Sequence, residues 1–181
     1  LEPHSYYLIV GRLIPDNNAD LLLNGFLASN SNKKLVIVGD VPYQDTYATN
    51  MKNRASDAVI FTGYVTDPAI LAELYHHCFA YLHGHEFGGT NPTMLKAMAY
   101  GCAILALDTI FNQEMLQNGQ FGWLFQKNPQ SLVLYLQKAE NQPDLVEELR
   151  RKARNGISQK YNWDAVTDAY SKVFEELKPI K

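Results

Sequence analysis

Short apolar runs recur along this chain, and helical patterns fill the intervals between them. YYLIV at 6–10 reads as a strand. Past Pro15-Asp16-Asn17-Asn18, the stretch ADLLLNGFLA sets Leu21, Leu22, Gly25 and Phe26 at helical spacing, with Asp16 or Asn17 as the N-cap. KLVIVGD at 34–40 predicts a second strand, and the polar segment 43–55 a helix. AVIFTGYV at 58–65 is a third strand. Asp67 then caps a helix that opens on Pro68 and runs through LAELYHH. CFAYLH at 78–83 is a fourth strand, followed by a helix from Pro92 to Tyr100 that Gly101 closes. CAILAL at 102–107 is a fifth strand and GWLF at 122–125 a short extended piece. From about Ser131 the chain reads as helical. It ends in an amphipathic helix near 162–177, with Asn162 as its cap.

Strand then helix, repeated, predicts an α/β fold with a parallel sheet of about six strands and helices on both faces. The strands are continuous apolar runs rather than alternating ones, as strands covered on both sides should be. No internal repeat or linker interrupts them, so 1–181 reads as a single domain. In such sheets ligands bind beyond the carboxyl ends of the strands. That rule selects Gly11-Arg12, Gly39-Asp40, Gly63-Tyr64 and the segment 83–92, all at one edge.

Composition narrows the field. Hydrophobic residues make up 46% of the 181, enough for a full core. The formal net charge of -3 gives no basis for a nucleic-acid surface. No apolar stretch approaches the roughly 18 residues of a membrane helix. Cys78 and Cys102 sit in apolar surroundings and read as small core residues, which fits a reducing, cytoplasmic compartment. The chain starts at Leu1 without a signal-peptide pattern, so it is expected to be a piece of a longer or processed protein.

The richest stretch is HGHEFGGTNPTMLKAMAYG at 83–101. Gly88 and Gly89 permit close backbone approach. Thr90 and Asn91 precede the helix that begins at Pro92, where free N–H groups and the positive dipole end predict an anion site, most simply a phosphate. A tight turn with an N-cap and no ligand accounts for the same residues. Arg12 follows the first strand at the same edge and can grip a phosphate with two N–H groups; a surface ion pair is its plainer reading. Tyr64 and Val65 can hold a nucleobase or simply pack. His83, His85 and Glu86 raise a metal reading, but no further His-rich element supports it, and the glycines point to backbone recognition instead. His76 and His77 suit the negative end of a helix. The sequence carries no Walker A motif, GxGxxG or GxSxG.

Taken in order, VGRLIPDNNADLLLNGF, LVIVGD, FTGYV, HEFGGTNPTMLKAMAYGCAILA and the closing YNWDAVTDAYSKVFEEL resemble the C-terminal half of a GT-B glycosyltransferase of glycosyltransferase family 4. The GGTNP variant is similar to a bacterial subgroup of polysaccharide and rhamnosyl or glucosyl transferases. The resemblance implies a Rossmann-like domain that binds a nucleotide sugar, such as a UDP- or dTDP-sugar, with no cofactor and no metal. It implies retaining transfer, in polysaccharide biosynthesis, to a glycan or lipid-linked acceptor held by an N-terminal domain outside this chain. It also implies peripheral attachment of the full-length protein to the inner face of the membrane. By the same resemblance the donor contacts are Gly11, Arg12, Asn17, Gly39, Tyr64, Val65, Gly88, Gly89, Thr90, Asn91 and Lys96. Arg12 stabilises the leaving diphosphate, and Glu86 stands in for a catalytic glutamate.

Two departures stand out. The family's ribose-binding glutamate falls on Lys96, and its phosphate-binding lysine falls on Asn17. A catalytically degenerate binding or regulatory module is therefore the alternative expectation.

Overall fold

The computed structural model describes residues 1–177. Six strands form one sheet: β1 (Tyr6–Val10), β2 (Lys34–Val38), β3 (Val59–Gly63), β4 (Ala80–His83), β5 (Ile104–Leu107) and β6 (Trp123–Phe125). Their order is β3-β2-β1-β4-β5-β6 and every ladder is parallel. This is the Rossmann arrangement, in which the chain leaves β1 in one direction for β2 and β3 and returns on its other side through β4.

Each strand serves two cores, because successive side chains point to opposite faces. Tyr7, Ile9, Leu35, Ile37, Leu82 and Leu105 are buried on one face. They meet α1 (Ala19–Ser29), α2 (Thr46–Lys52) and α6 (Pro129–Asn141). Tyr6, Leu8, Val36, Tyr81 and Ile104 are buried on the other face. They meet α3 (Pro68–His77), α4 (Pro92–Ala99), α5 (Ile110–Met115) and part of α7 (Pro143–Lys160). This two-sided burial is why no strand shows polar alternation. Cys78 and Cys102 are free and buried in the second core, Sγ to Sγ 3.7 Å.

The capping chemistry follows the side chains. Asp67 accepts from Ala69 N–H to start α3, and Asn162 accepts from Ala165 N–H to start α8 (Trp163–Glu176). At the far end of α4, Gly101 N–H bonds Met98 O and Cys102 N–H bonds Ala97 O, the paired closure of a left-handed helix stop. No described helix is long and apolar enough to cross a membrane.

Three expectations need correction. Neither Asp16 nor Asn17 caps α1. A short 3-10 turn occupies Pro15–Asn17, and Asn18, in the left-handed region at φ 47, precedes the helix without a side-chain capping bond. The C-terminal helical stretch is broken at Gln142, because Pro143 has no N–H to continue α6 and opens α7 instead. α5, between the fifth and sixth strands, was not anticipated. β2 and β3 stop short of their expected carboxyl ends, where Gly39-Asp40 and Tyr64-Val65 turn at the site edge, while β4, β5 and β6 begin later than their apolar runs.

Candidate functional site

The carboxyl ends of β1 to β4 open into a cavity of about 370 Å³. Its first wall is two strand ends pressed together. Gly11 N–H donates to Val38 O (2.9 Å), and Gly39 N–H to Gly63 O (2.8 Å). Gly39 has φ +124, and a Cβ there would run into the Gly11 carbonyl oxygen. Glycine is required at 39 for both reasons.

The second wall is a clasp between the turn after β1 and the turn after β4. Asn17 Nδ2 donates to Arg12 O (2.7 Å), which makes its Oδ1 the acceptor facing His85 Nδ1 (2.7 Å). His85 must therefore carry its proton on Nδ1. The buried Asn18 donates to Gly84 O (2.9 Å) and to Glu86 Oε2 (3.2 Å). Gly84 has no room for a side chain, since a Cβ would meet Asn17 O. Behind this loop Asn112, also buried, donates to His85 O (3.1 Å) and Leu107 O (2.9 Å).

The third wall is the start of α4. Asn91 Oδ1 accepts from the backbone N–H of Thr93 (3.0 Å) and Met94 (3.4 Å), and from Thr93 Oγ1 (2.7 Å). Asn91 N–H itself approaches Met115 Sδ (3.3 Å), and Pro92 has no N–H. The first turn of α4 thus has no free donors, contrary to the expectation of an anion held by that turn. The backbone N–H groups of Gly88, Gly89 and Thr90 have no protein partner among the described residues, so the open donors lie one step earlier.

Charge follows the same division. Among the described residues lining the cavity there is one formal cation, Arg12, and no carboxylate. Arg12 is exposed and has no side-chain partner among the described residues, which removes its surface-ion-pair reading. Glu86 lies outside the wall, ion-paired to Lys127 Nζ at 2.5 Å. Lys127 first and Asn18 second hold its carboxyl below the usual range. His83, 3% exposed, is driven down to about 3 by burial first and by His85 second, so it is neutral.

Of the residues expected at the site, Gly11, Arg12, Asn17, Gly39, Tyr64, Val65 and Asn91 all line the cavity. Gly88, Gly89 and Thr90 are exposed on its rim side, outside the lining. Lys96 is exposed and outside the cavity lining; at i+4 from Pro92 and i+3 from Thr93, both of which line the cavity, it stands one helical turn further along the same side of α4. Asn17 serves the loop's architecture rather than replacing a phosphate-binding lysine in reach or charge. His83, in the segment expected at this edge, also lines the cavity, whereas sequence reasoning missed Asn18, Thr93, Asn112 and Lys127. Asn18, Asn112 and Lys127 offered no local signal, because their partners lie far along the chain or across the loop. Among the described residues no group of three or more His, Cys, Asp or Glu is placed to hold a metal.

Comparison with known proteins now bears on this geometry. The family model described as "Glycosyl transferases group 1" matches residues 2–156. An uncharacterized glycosyltransferase of Methanocaldococcus jannaschii is 25% identical over 174 residues, covering 93% of this chain and 44% of that protein. The chain thus spans less than half the length of that relative. Among solved structures, HepE of Anabaena in complex with UDP superposes with a TM-score of 0.85 at 15% identity, over 97% of this chain and 50% of that one. The C-terminal domain of the group 1 family protein LpcC from Francisella tularensis gives 0.77 at 16% identity, over 90% and 89%. The structures share the fold, and the family model carries the assignment: the chain belongs to the group 1 glycosyl transferases.

Proposed function

We propose that this chain is the donor-binding half of a glycosyltransferase of family 4, of the polysaccharide rhamnosyl or glucosyl type. It binds a nucleoside diphosphate sugar across the cavity at the ends of β1 to β4. The base lies against Tyr64 and Val65. The diphosphate lies between Arg12 and the Gly88–Thr90 backbone. The observation that carries this reading is the pairing of an unpartnered arginine with a carboxylate-free cavity at the point where strand order reverses. HepE was solved with UDP, and the pneumococcal O-GlcNAc transferase GtfA, of the same fold, with UDP and GlcNAc.

In retaining transfer, negative charge grows on the leaving diphosphate as the sugar carbon becomes cationic. Arg12 and the free N–H groups of Gly88, Gly89 and Thr90 are fixed donors for that charge, so the reaction needs no metal or other cofactor on this reading. The acceptor, a glycan or lipid-linked sugar, is held by an N-terminal half that this chain lacks. The full-length enzyme works in the cytoplasm at the inner face of the membrane.

A second reading, a binding module without turnover, is favoured by two positions. Asn17 is locked into the clasp and is neutral, and Lys96 carries no carboxylate and is outside the cavity lining, so neither family contact is replaced in kind. Calorimetric titration with UDP, dTDP, GDP and their sugars, paired with backbone amide shifts, tests both readings. Binding with shifts at 11–12, 39, 64–65 and 84–91 is expected. No binding by any nucleotide at millimolar concentration, or shifts confined to the opposite sheet edge, would refute the site. Slow hydrolysis of a bound nucleotide sugar separates an enzyme half from an inert module.

A further inference from the structure

Nearly every polar side chain in the cavity wall has a protein partner. Tyr81 Oη reaches Val10 O (3.3 Å) and Thr93 Oγ1 (3.1 Å). Asn17 and His85 hold each other, and Asn91 holds the first turn of α4. Arg12 is exposed at the rim, where water serves it. His83 is the exception. It is the last residue of β4, level with Ala106 on β5, and its ring forms part of the cavity wall. Its Nε2 is buried and has no hydrogen-bond partner among the described residues. The ring lies between those of Tyr81 (5.9 Å, 30°) and His85 (6.1 Å, 56°).

A buried nitrogen without a partner is a standing cost that an apolar ring of similar shape would not carry. Packing alone therefore does not account for histidine here. The ring is neutral, so it offers one N–H donor and one lone pair. Rotation of an imidazole about its second torsion is soft, which lets either nitrogen turn toward the cavity. The charge next to it selects the partner. Arg12 is the cation of this cavity and no carboxylate lines it, so the group that completes the set is an anionic oxygen.

We infer that His83 is a specificity-determining residue that donates a ring N–H to a phosphate oxygen of the bound diphosphate, from the floor of the cavity, while Arg12 approaches from the rim. This rests on the reading of the cavity as a nucleoside diphosphate site. It adds the element that tells a diphosphate from a nucleoside on the inner side, where water does not compete.

The test is His83→Phe in the whole chain, with two readouts that a structural histidine and a ligand-reading one move in opposite directions. For the ligand-free protein, H83F is expected to leave Tm unchanged or raise it, because the orphaned nitrogen is gone and the ring contact with Tyr81 is kept. For binding, UDP and UDP-glucose are expected to weaken roughly ten- to a hundred-fold, the range for a hydrogen bond to a charged group, with uridine unchanged. His83→Gln, which keeps an N–H donor, should recover part of the UDP affinity. Should H83F not fold, His83→Met supplies the same loss of donors in an adaptable apolar side chain. Unchanged UDP affinity in a folded H83F or H83M overturns the inference. So does an equal loss for uridine, or a loss confined to UDP-glucose, which would assign His83 to the base or to the sugar. Wild-type protein that binds no nucleoside diphosphate would refute the underlying reading instead, and is told apart because the variant comparison then never arises.

Discussion

Asn17 should be worth more to stability than a loop residue usually is. Its amide makes two short bonds, to Arg12 O and His85 Nδ1, each 2.7 Å, and these tie the turn after β1 to the turn after β4. Asn17→Ala removes both. A hydrogen bond contributes about 0.5–1.5 kcal/mol net; the bond to Arg12 O is exposed and the bond to His85 only part-buried, so water can replace much of what is lost. The lower half of the range applies, giving a loss of about 1–2 kcal/mol. For a chain of this size that is roughly 2–8 °C in Tm. Urea unfolding should show a lower midpoint at an unchanged slope, because the surface exposed on unfolding is the same. A double-mutant cycle with His85→Ala isolates the shared bond, with a coupling of about 0.5–1 kcal/mol expected. A midpoint unchanged by Asn17→Ala, or a coupling of zero, would refute the Asn17–His85 half of the clasp and leave the two turns joined through Asn18 alone.

Further outcomes follow from the same geometry. Arg12→Ala should weaken UDP roughly ten- to a hundred-fold in calorimetry while sparing uridine and Tm, since the guanidinium has no partner to lose among the described residues. Asn91→Ala should lower stability by about 1 kcal/mol, as loss of an N-cap does, and yet retain UDP affinity because it frees the N–H groups of Thr93 and Met94; a large affinity loss would contradict that. Lys96→Glu should leave UDP and 2′-deoxy-UDP affinities equal to wild type, and a selective gain for UDP would bring the residue back to the ribose. The Glu86–Lys127 pair gives a pH signature: Glu86 is depressed in the fold, so its stabilisation is full above the ordinary glutamate range and is lost as pH falls through the depressed value. Melting curves of wild type and Lys127→Met should therefore differ near pH 6–7 and converge in strong acid, and a constant gap would exclude the pair as the cause.

The parallel sheet and its site edge were legible in the sequence because each rests on a local signal. Continuous apolar runs with a glycine after them mark buried parallel strands and their turns, whereas the order of the strands depends on pairing across the chain. Gly11, Gly39 and the Asn91-Pro92 start were found this way. What escaped detection depended on contacts across the chain. Asn18 looks like any residue before a helix, yet its partners are Gly84 and Glu86, more than 60 positions on. Lys127 lies 41 positions from Glu86, and nothing in its neighbourhood marks it as that residue's counter-ion.

The start of α4 shows why a helix dipole and a helix N-terminus are separate assets. The dipole is a property of all the aligned peptides, so Asn91 does not cancel it by capping the first turn. The cap does consume the donors, and proline removes another. An anion near α4 therefore feels the favourable field but must find its hydrogen bonds elsewhere. The glycine-rich segment just ahead has N–H groups at Gly88, Gly89 and Thr90 with no partner among the described residues, and the Arg12 guanidinium, which lines the cavity, has none among them either. The division has a chemical consequence. A rigid first turn fixes the direction of the field, while donors on glycines, free of the helix's own hydrogen bonding, are spent on the ligand alone. On the proposed donor-binding reading, charge that grows on a leaving diphosphate would be met by groups with no competing partner among the described residues, which is the condition under which a hydrogen bond to an anion contributes most.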